Sequence, residues 1–216
     1  QRADIFKETA PQKESSATQT ESKKTSGKLI FIQNPPQPPF WGKRKIDHAQ
    51  LMDIQKYLDK RALYRLSWGA KNASGDKWIE LQEKFDQQFE TMTRKLSQDP
   101  WIQPKAVYGY WRAQSCGEDL LIYEPDLNSQ PQVVQKLHFP RQKSHNQLCI
   151  ADYFASVDSG VMDTIAFQVV TVGQKAVDKV EQFHKNDHYS ESYFHHGLAV
   201  QMTESTAEYV ERLSHS

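Results

Sequence analysis

Hydrophobic side chains are spread unevenly along this chain, and their spacing changes three times. Over residues 1–28 the large apolar side chains are Ile5 and Phe6, set among Lys, Glu, Ser, Thr and Gln. Such a stretch buries too little surface to offset the entropy of ordering it, so residues 1–34 read as a polar linker. Leu29-Ile30-Phe31-Ile32 is followed by Asn34-Pro35-Pro36-Gln37-Pro38-Pro39, which predicts a stiff polyproline-like strap. The strap leads to Phe40-Trp41-Gly42, the first aromatic anchor, and the folded region is expected to span residues 35–216.

Helical spacing comes next. Leu51, Ile54 and Leu58 recur at three and four residues behind Asp47, a candidate cap. The clearest run is Trp78, Leu81, Phe85, Phe89, Met92 and Leu96, with charged residues between them. Ser74 or Asp76 can start that helix and Asp99-Pro100 ends it, and its apolar stripe is expected to be packing core.

The period then shortens to two. Residues 106–111 and 119–123 flank a polar turn containing Cys116-Gly117-Glu118, a hairpin signature. Residues 133–139 suggest a third strand. Residues 164–172 are apolar on both faces, so this fourth strand is expected to be central. Gly173 opens a helix carrying Ala176, Val177, Val180 and Phe183, and a last helix over 190–213 carries Phe194, Leu198, Met202, Tyr209 and Leu213. That last helix reads as still running where the sequence stops. With no initiator Met either, the chain is expected to be a fragment of something longer. Helices around a hairpin-containing sheet predict an α+β fold, with a mainly antiparallel sheet.

Composition excludes several classes. Formal charge balances at 27 against 27, leaving no basic footprint for a nucleic-acid backbone. No apolar run approaches the ~18–20 residues of a membrane span, and no apolar segment of a signal peptide follows the first residues. The two cysteines, Cys116 and Cys149, form no CxxC pair and suit a reducing cytoplasm.

Familiar sites are missing too. The sequence holds no GxGxxG, P-loop, GxSxG or HExxH. His184 and His188 lie four apart, with His195-His196 further on, but Asn186-Asp187 interrupts them and no third ligand completes a tetrahedral set. A solvated face between helices is expected, with no metal site. Cys149 sits in an apolar run and reads as a buried, inert thiol. Asp119, Glu124 and Asp126 read as turn and strand-end residues. No catalytic residue emerges.

Resemblance supplies what the motifs do not. PPFWGKRKI followed by YLDKRALYRLSWG, then QPKAVYGYWRAQSCGEDLLIY, then LHFPRQ with LCIADYFAS, then DTIAFQVVTVG, and finally HHGLAVQMTESTAEYVER form blocks in one order. Together they resemble the activation domain of cobalamin-dependent methionine synthases, over about residue 35 to the end. That family's domain is a helmet-shaped α+β module with a twisted antiparallel sheet, which closes over cobalamin held by a neighbouring module.

The resemblance implies a fragment of a methyltransferase of methionine biosynthesis, working in the cytoplasm. Its task is reductive methylation: cob(II)alamin takes an electron from flavodoxin or an equivalent reductase and a methyl group from S-adenosylmethionine. Zinc is expected only in the homocysteine module, outside this chain. Such chemistry asks for positioning more than acid–base catalysis. Asp59 in YLDKRAL and Glu204 in MTESTAEY match family positions that bind S-adenosylmethionine. The family's Arg-Pro-Ala-x-Gly-Tyr-Pro-x-Cys-Pro segment should follow the last helix, after the last residue here. A non-catalytic capping or interaction domain, for a corrinoid protein or a flavodoxin-like partner, is the alternative reading.

Overall fold

The computed structural model describes residues 35, 37–47, 49–126, 130–143 and 147–214. The polar linker expected over 1–34 lies outside the described residues. In order, the elements are β1 (Gly42–Ile46), α1 (Leu51–Gln55), α2 (Lys60–Ala62), α3 (Gly75–Leu96), β2 (Lys105–Cys116), β3 (Asp119–Tyr123), β4 (Val133–His138), β5 (Asp163–Thr171), α4 (Gln174–Lys185) and α5 (Tyr189–Ser214). A π-helical turn, Leu63–Ser67, continues α2, and short 3-10 turns occupy Ile150–Tyr153 and Val157–Ser159.

The fold is α+β, and every strand pairing in its sheet is antiparallel. The long strand β2 is the centre. One of its edges is paired by β5 over nine positions, from Lys105↔Thr171 to Ala113↔Asp163. The other edge is shared by β1 and then β3, and β4 lies beyond β3. The expected hairpin forms, with Cys116 opposite Asp119. β1 fits no period-two pattern, because Gly-Lys-Arg-Lys-Ile offers no alternating apolar face. What holds it is close approach: a Cβ added at Gly109 would lie 2.0 Å from the Gly42 carbonyl oxygen. Glycine is the residue that admits a neighbouring backbone so near.

Two expectations are corrected here. Among the described residues β5 occupies an edge of the sheet rather than its middle, and its side chains Phe167 and Val169 are exposed. Asp47 does not cap α1; Gln50 stands at that position and its side chain makes no capping bond. The α3 stripe behaves as its spacing predicts. Phe85, Met92 and Leu96 are buried, while Trp78, Leu81 and Phe89 are half-buried against the same core. Ser74 takes the N-cap position of α3, without a side-chain bond.

The helical layer closes around Trp68. Its ring stacks on Tyr64 and meets Phe85 and Phe194 edge-on, with centroids 5.1–5.4 Å away. The indole N–H donates to the Phe194 carbonyl at 3.1 Å. α5 can come this close because position 197 is glycine: a Cβ there would sit 2.7 Å from the Trp68 ring. A second, smaller core of Ala113, Leu120 and Ile122 lies at the hairpin end, flanked by Trp111, Phe139 and Phe154.

Candidate functional site

Asp59 and Glu204 reach one cleft from different elements. Asp59 is the N-cap of α2, where its Oδ1 accepts from the Ala62 amide at 2.9 Å. That bond restrains the Asp59 side chain as a helix cap. The chain behind it enters the π-helical turn, in which the Trp68 amide bonds the Leu63 carbonyl at 2.8 Å. Local π geometry of this kind is often associated with functional sites.

Glu204 projects from the exposed side of α5, whose opposite side carries Met202, Thr206 and Val210 into the core. Thr206 and Ser205 donate their hydroxyls back to the Met202 and Gln201 carbonyls of the same helix, which satisfies them within the core. Together the two carboxylates line a cleft of about 350 Å³ between the α1–α2 connection and α5. Tyr57 lies beside them, its ring 6.1 Å from that of Tyr209.

The charges around the cleft are unequal. Glu208 is engaged by Arg212 at 3.2 Å, and Lys56 by Asp53 at 2.7 Å. Among the described residues the Glu204 carboxylate has no such partner. The cleft is therefore a net acceptor, suited to an ammonium or a sugar hydroxyl. Sequence reasoning missed Gln201, Ser205 and Glu208, which share its wall. Their spacing of three, four and seven along α5 was the available signal.

Two larger hollows lie elsewhere. One of about 670 Å³ sits between the start of α1 and the end of α3, lined by Leu51, Leu96, Ile102 and Pro104. Another of about 470 Å³ lies under Pro38 and Pro39, against Tyr108 and Tyr110. Neither brings two carboxylates to one ligand-sized space with defined acceptors, so chemistry favours the smaller cleft over volume.

The remaining candidates resolve plainly. Among the described residues no group of three or more His, Cys, Asp or Glu side chains could hold a metal ion. His195 is wedged between Trp101 and Phe183, with ring centroids 5.0 and 4.5 Å away, and burial holds its pKa below the usual histidine value. Cys149 is buried, its thiol donating to the Phe139 carbonyl at 3.0 Å, and Cys116 is exposed. The Glu124 and Asp126 carbonyls both accept from the buried Arg112 guanidinium. Two of the sequence blocks meet directly: Arg141 of LHFPRQ donates to Asp152 of LCIADYF at 2.7 Å. No described helix is long and apolar enough to cross a membrane.

Known proteins resemble this chain in sequence and fold. A solved structure, the MetH reactivation domain bound to AdoHcy, superposes with a TM-score of 0.70 at 23% identity, over 83% of this chain and 57% of its own. Methionine synthase of Mycobacterium tuberculosis (strain ATCC 25618 / H37Rv) is 33% identical over 186 residues, covering 82% of this chain and 16% of the relative. That of Mycobacterium leprae (strain TN) is 33% identical over 187 residues, covering 82% and 15%. The chain thus spans a small part of these relatives' length. A family model described as "Vitamin B12 dependent methionine synthase, activation domain" matches residues 50–215. On that match and those identities, the chain belongs to the activation-domain family of vitamin B12 dependent methionine synthases.

Proposed function

We propose that this chain serves as the reactivation module of a cobalamin-dependent methionine synthase, with the Asp59–Glu204 cleft taking the cationic end of S-adenosylmethionine. The observation that carries this reading is the convergence of two carboxylates, distant in sequence, on one cleft in which, among the described residues, Glu204 lacks a counter-charge. The cleft's volume of about 350 Å³ falls within the ~300–1,000 Å³ range of small-molecule sites. Its acceptors suit an ammonium and ribose hydroxyls, so the residues present fit the ligand.

S-Adenosylmethionine supplies an activated methyl group on a sulfonium. With one electron from flavodoxin or an equivalent donor, that methyl returns cob(II)alamin of the neighbouring cobalamin-binding module to its methylated state, leaving S-adenosylhomocysteine. The residues of this chain bind and orient. Asp59 is pre-set by its capping bond, and Glu204 is carried on a helix anchored by its buried face. Rigid acceptors on packed elements lower the ordering cost of binding, which is how positioning contributes to rate. The setting for this work is the cytoplasm, as part of a methyltransferase acting in methionine synthesis.

Glu204→Gln in the complete enzyme tests the reading. Gln keeps the shape and removes the charge. Charge-assisted hydrogen bonds are worth about 1.5–3 kcal/mol, so apparent affinity for S-adenosylmethionine during recovery from cob(II)alamin should fall roughly ten- to a hundred-fold. Initial turnover of methyltetrahydrofolate and homocysteine should stay unchanged in primed enzyme. Equal loss in both assays would make Glu204 structural, and unchanged recovery would make it a surface charge on a capping domain.

A further inference from the structure

Asp59 stands at the head of a helix too short to hold it. α2 has three residues, and isolated helices below about 12–15 residues are marginal in water. The capping bond from the Ala62 amide fixes Asp59 relative to α2, so α2 must itself be fixed relative to the rest of the fold. Trp68 anchors the far end of the π-helical turn through its indole bond to the Phe194 carbonyl. The near end is tied to a single carboxylate on α3. Asp86 Oδ1 accepts from the Tyr64 hydroxyl at 2.7 Å and from the Lys60 ammonium at 3.1 Å. Lys60 follows Asp59 directly, and Tyr64 lies on the π-helical turn, so the two donors flank Ala62. An exposed ion pair alone contributes little, which makes the part-buried Tyr64 bond the stronger arm. The Tyr64 ring is itself buried and stacked on Trp68, and the Lys60 ammonium lies 4.8 Å over the Phe89 ring. Hydrogen bonding from Tyr64, and then from Lys60, holds the Asp86 carboxyl below the usual carboxylate range.

We infer that Asp86 is a positioning residue for the cleft: from α3 it clamps Lys60 and Tyr64, and so sets the Asp59 carboxylate in the space it shares with Glu204. The inference rests on the proposed role of that cleft in binding S-adenosylmethionine. Asp86 is not among the residues that line the cleft, so it acts through Asp59 and not on the ligand. Its own element suits the task, since α3 runs for 22 residues and packs Phe85, Met92 and Leu96 into the core. A pre-set Asp59 leaves less conformational freedom to be lost on binding. Opening the clamp therefore weakens binding, while the step that follows binding keeps its rate.

Recovery from cob(II)alamin in the complete enzyme, measured across S-adenosylmethionine concentrations, tests this. In Asp86→Ala the half-saturating concentration should rise about tenfold, with the rate at saturation within about twofold of wild type. Tyr64→Phe keeps the buried ring and opens one arm of the clamp, so it should show a rise of about threefold. It carries the same test if Asp86→Ala fails to fold. In an Asp59→Asn background the effect of either change should shrink below about twofold, because the charge being positioned is gone. A full effect in that background, or a rate at saturation that falls as far as the affinity, overturns the inference and makes the clamp a matter of general stability. So does wild-type affinity in these variants while Asp59→Asn alone is weakened, an outcome that leaves the cleft's proposed role standing. Wild-type affinity in Asp59→Asn alone would contradict that role, and the inference would fall with it.

Discussion

The helical layer and the outer strand of the sheet are built to different degrees of completion. Around Trp68, side chains from α1, α3, α5 and the π-helical turn enclose one another, and Ile54, Leu63, Leu198 and Met202 are fully buried. Polar groups there are engaged as well: Tyr64 donates to Asp86 at 2.7 Å, and Lys60 meets the same carboxylate at 3.1 Å. Among the described residues β5 pairs only with β2 and leaves apolar side chains facing outward. The helical half encloses its own apolar side chains, whereas this outer strand leaves its apolar side chains exposed. The Asp59–Glu204 cleft belongs to the first half, where packed elements position its two carboxylates.

That contrast can be broken at its strongest point. Phe85→Ala removes a buried ring that contacts Tyr64, Trp68 and Phe194. Chemical denaturation should show a loss of roughly 3–5 kcal/mol; a loss below about 1 kcal/mol would mean the stripe is not core. Gly197→Ala tests the close approach of α5 to Trp68. Although alanine favours helix, overpacking against the indole should cost about 1–3 kcal/mol, and a stabilised variant would contradict the contact.

His195 should make a smaller, pH-dependent contribution. Burial depresses its folded pKa below 6.5, aided by Lys179 and Lys95, while the bond to the Glu191 carbonyl opposes the shift. The unfolded chain therefore takes the proton first as pH falls. The contribution is complete above about pH 6.5 and is lost as pH falls through the folded value. Wild type should lose more stability between pH 7.5 and 5 than His195→Gln does, and parallel profiles would remove the wedge. Val169→Lys sits at the other end of the scale. In the chain alone it should change stability by no more than about 0.5 kcal/mol, because Val169 is largely exposed. A larger loss would show that β5 is already covered.

Legibility in the sequence followed how locally each feature was encoded. The α3 stripe, the Cys116–Asp119 hairpin and the last helix were readable because period and turn chemistry are local. β1 was not, since its Gly-Lys-Arg-Lys-Ile carries no alternation and it pairs through Gly109. Asp59 was readable as a ligand position only through resemblance. Its role as the N-cap of α2 depends on a helix too short to give a periodic signal. The meeting of Asp59 with Glu204 is a tertiary event that no spacing encodes. β5 is the instructive case: its composition described a central strand, yet among the described residues it pairs only with β2, because apolar content does not by itself set a strand's place in the sheet.

The central claim is that Asp59 and Glu204 act on one ligand in one cleft. A double-mutant cycle of Asp59→Asn and Glu204→Gln, read by equilibrium binding of S-adenosylmethionine to the complete enzyme, tests it most directly. Asn caps a helix about as well as Asp, so the first change removes charge without removing the cap. Each single variant should bind roughly ten- to a hundred-fold more weakly with unaltered melting, and the double variant should depart from additivity by more than about 0.5 kcal/mol. Unchanged affinity in both single variants would contradict the account.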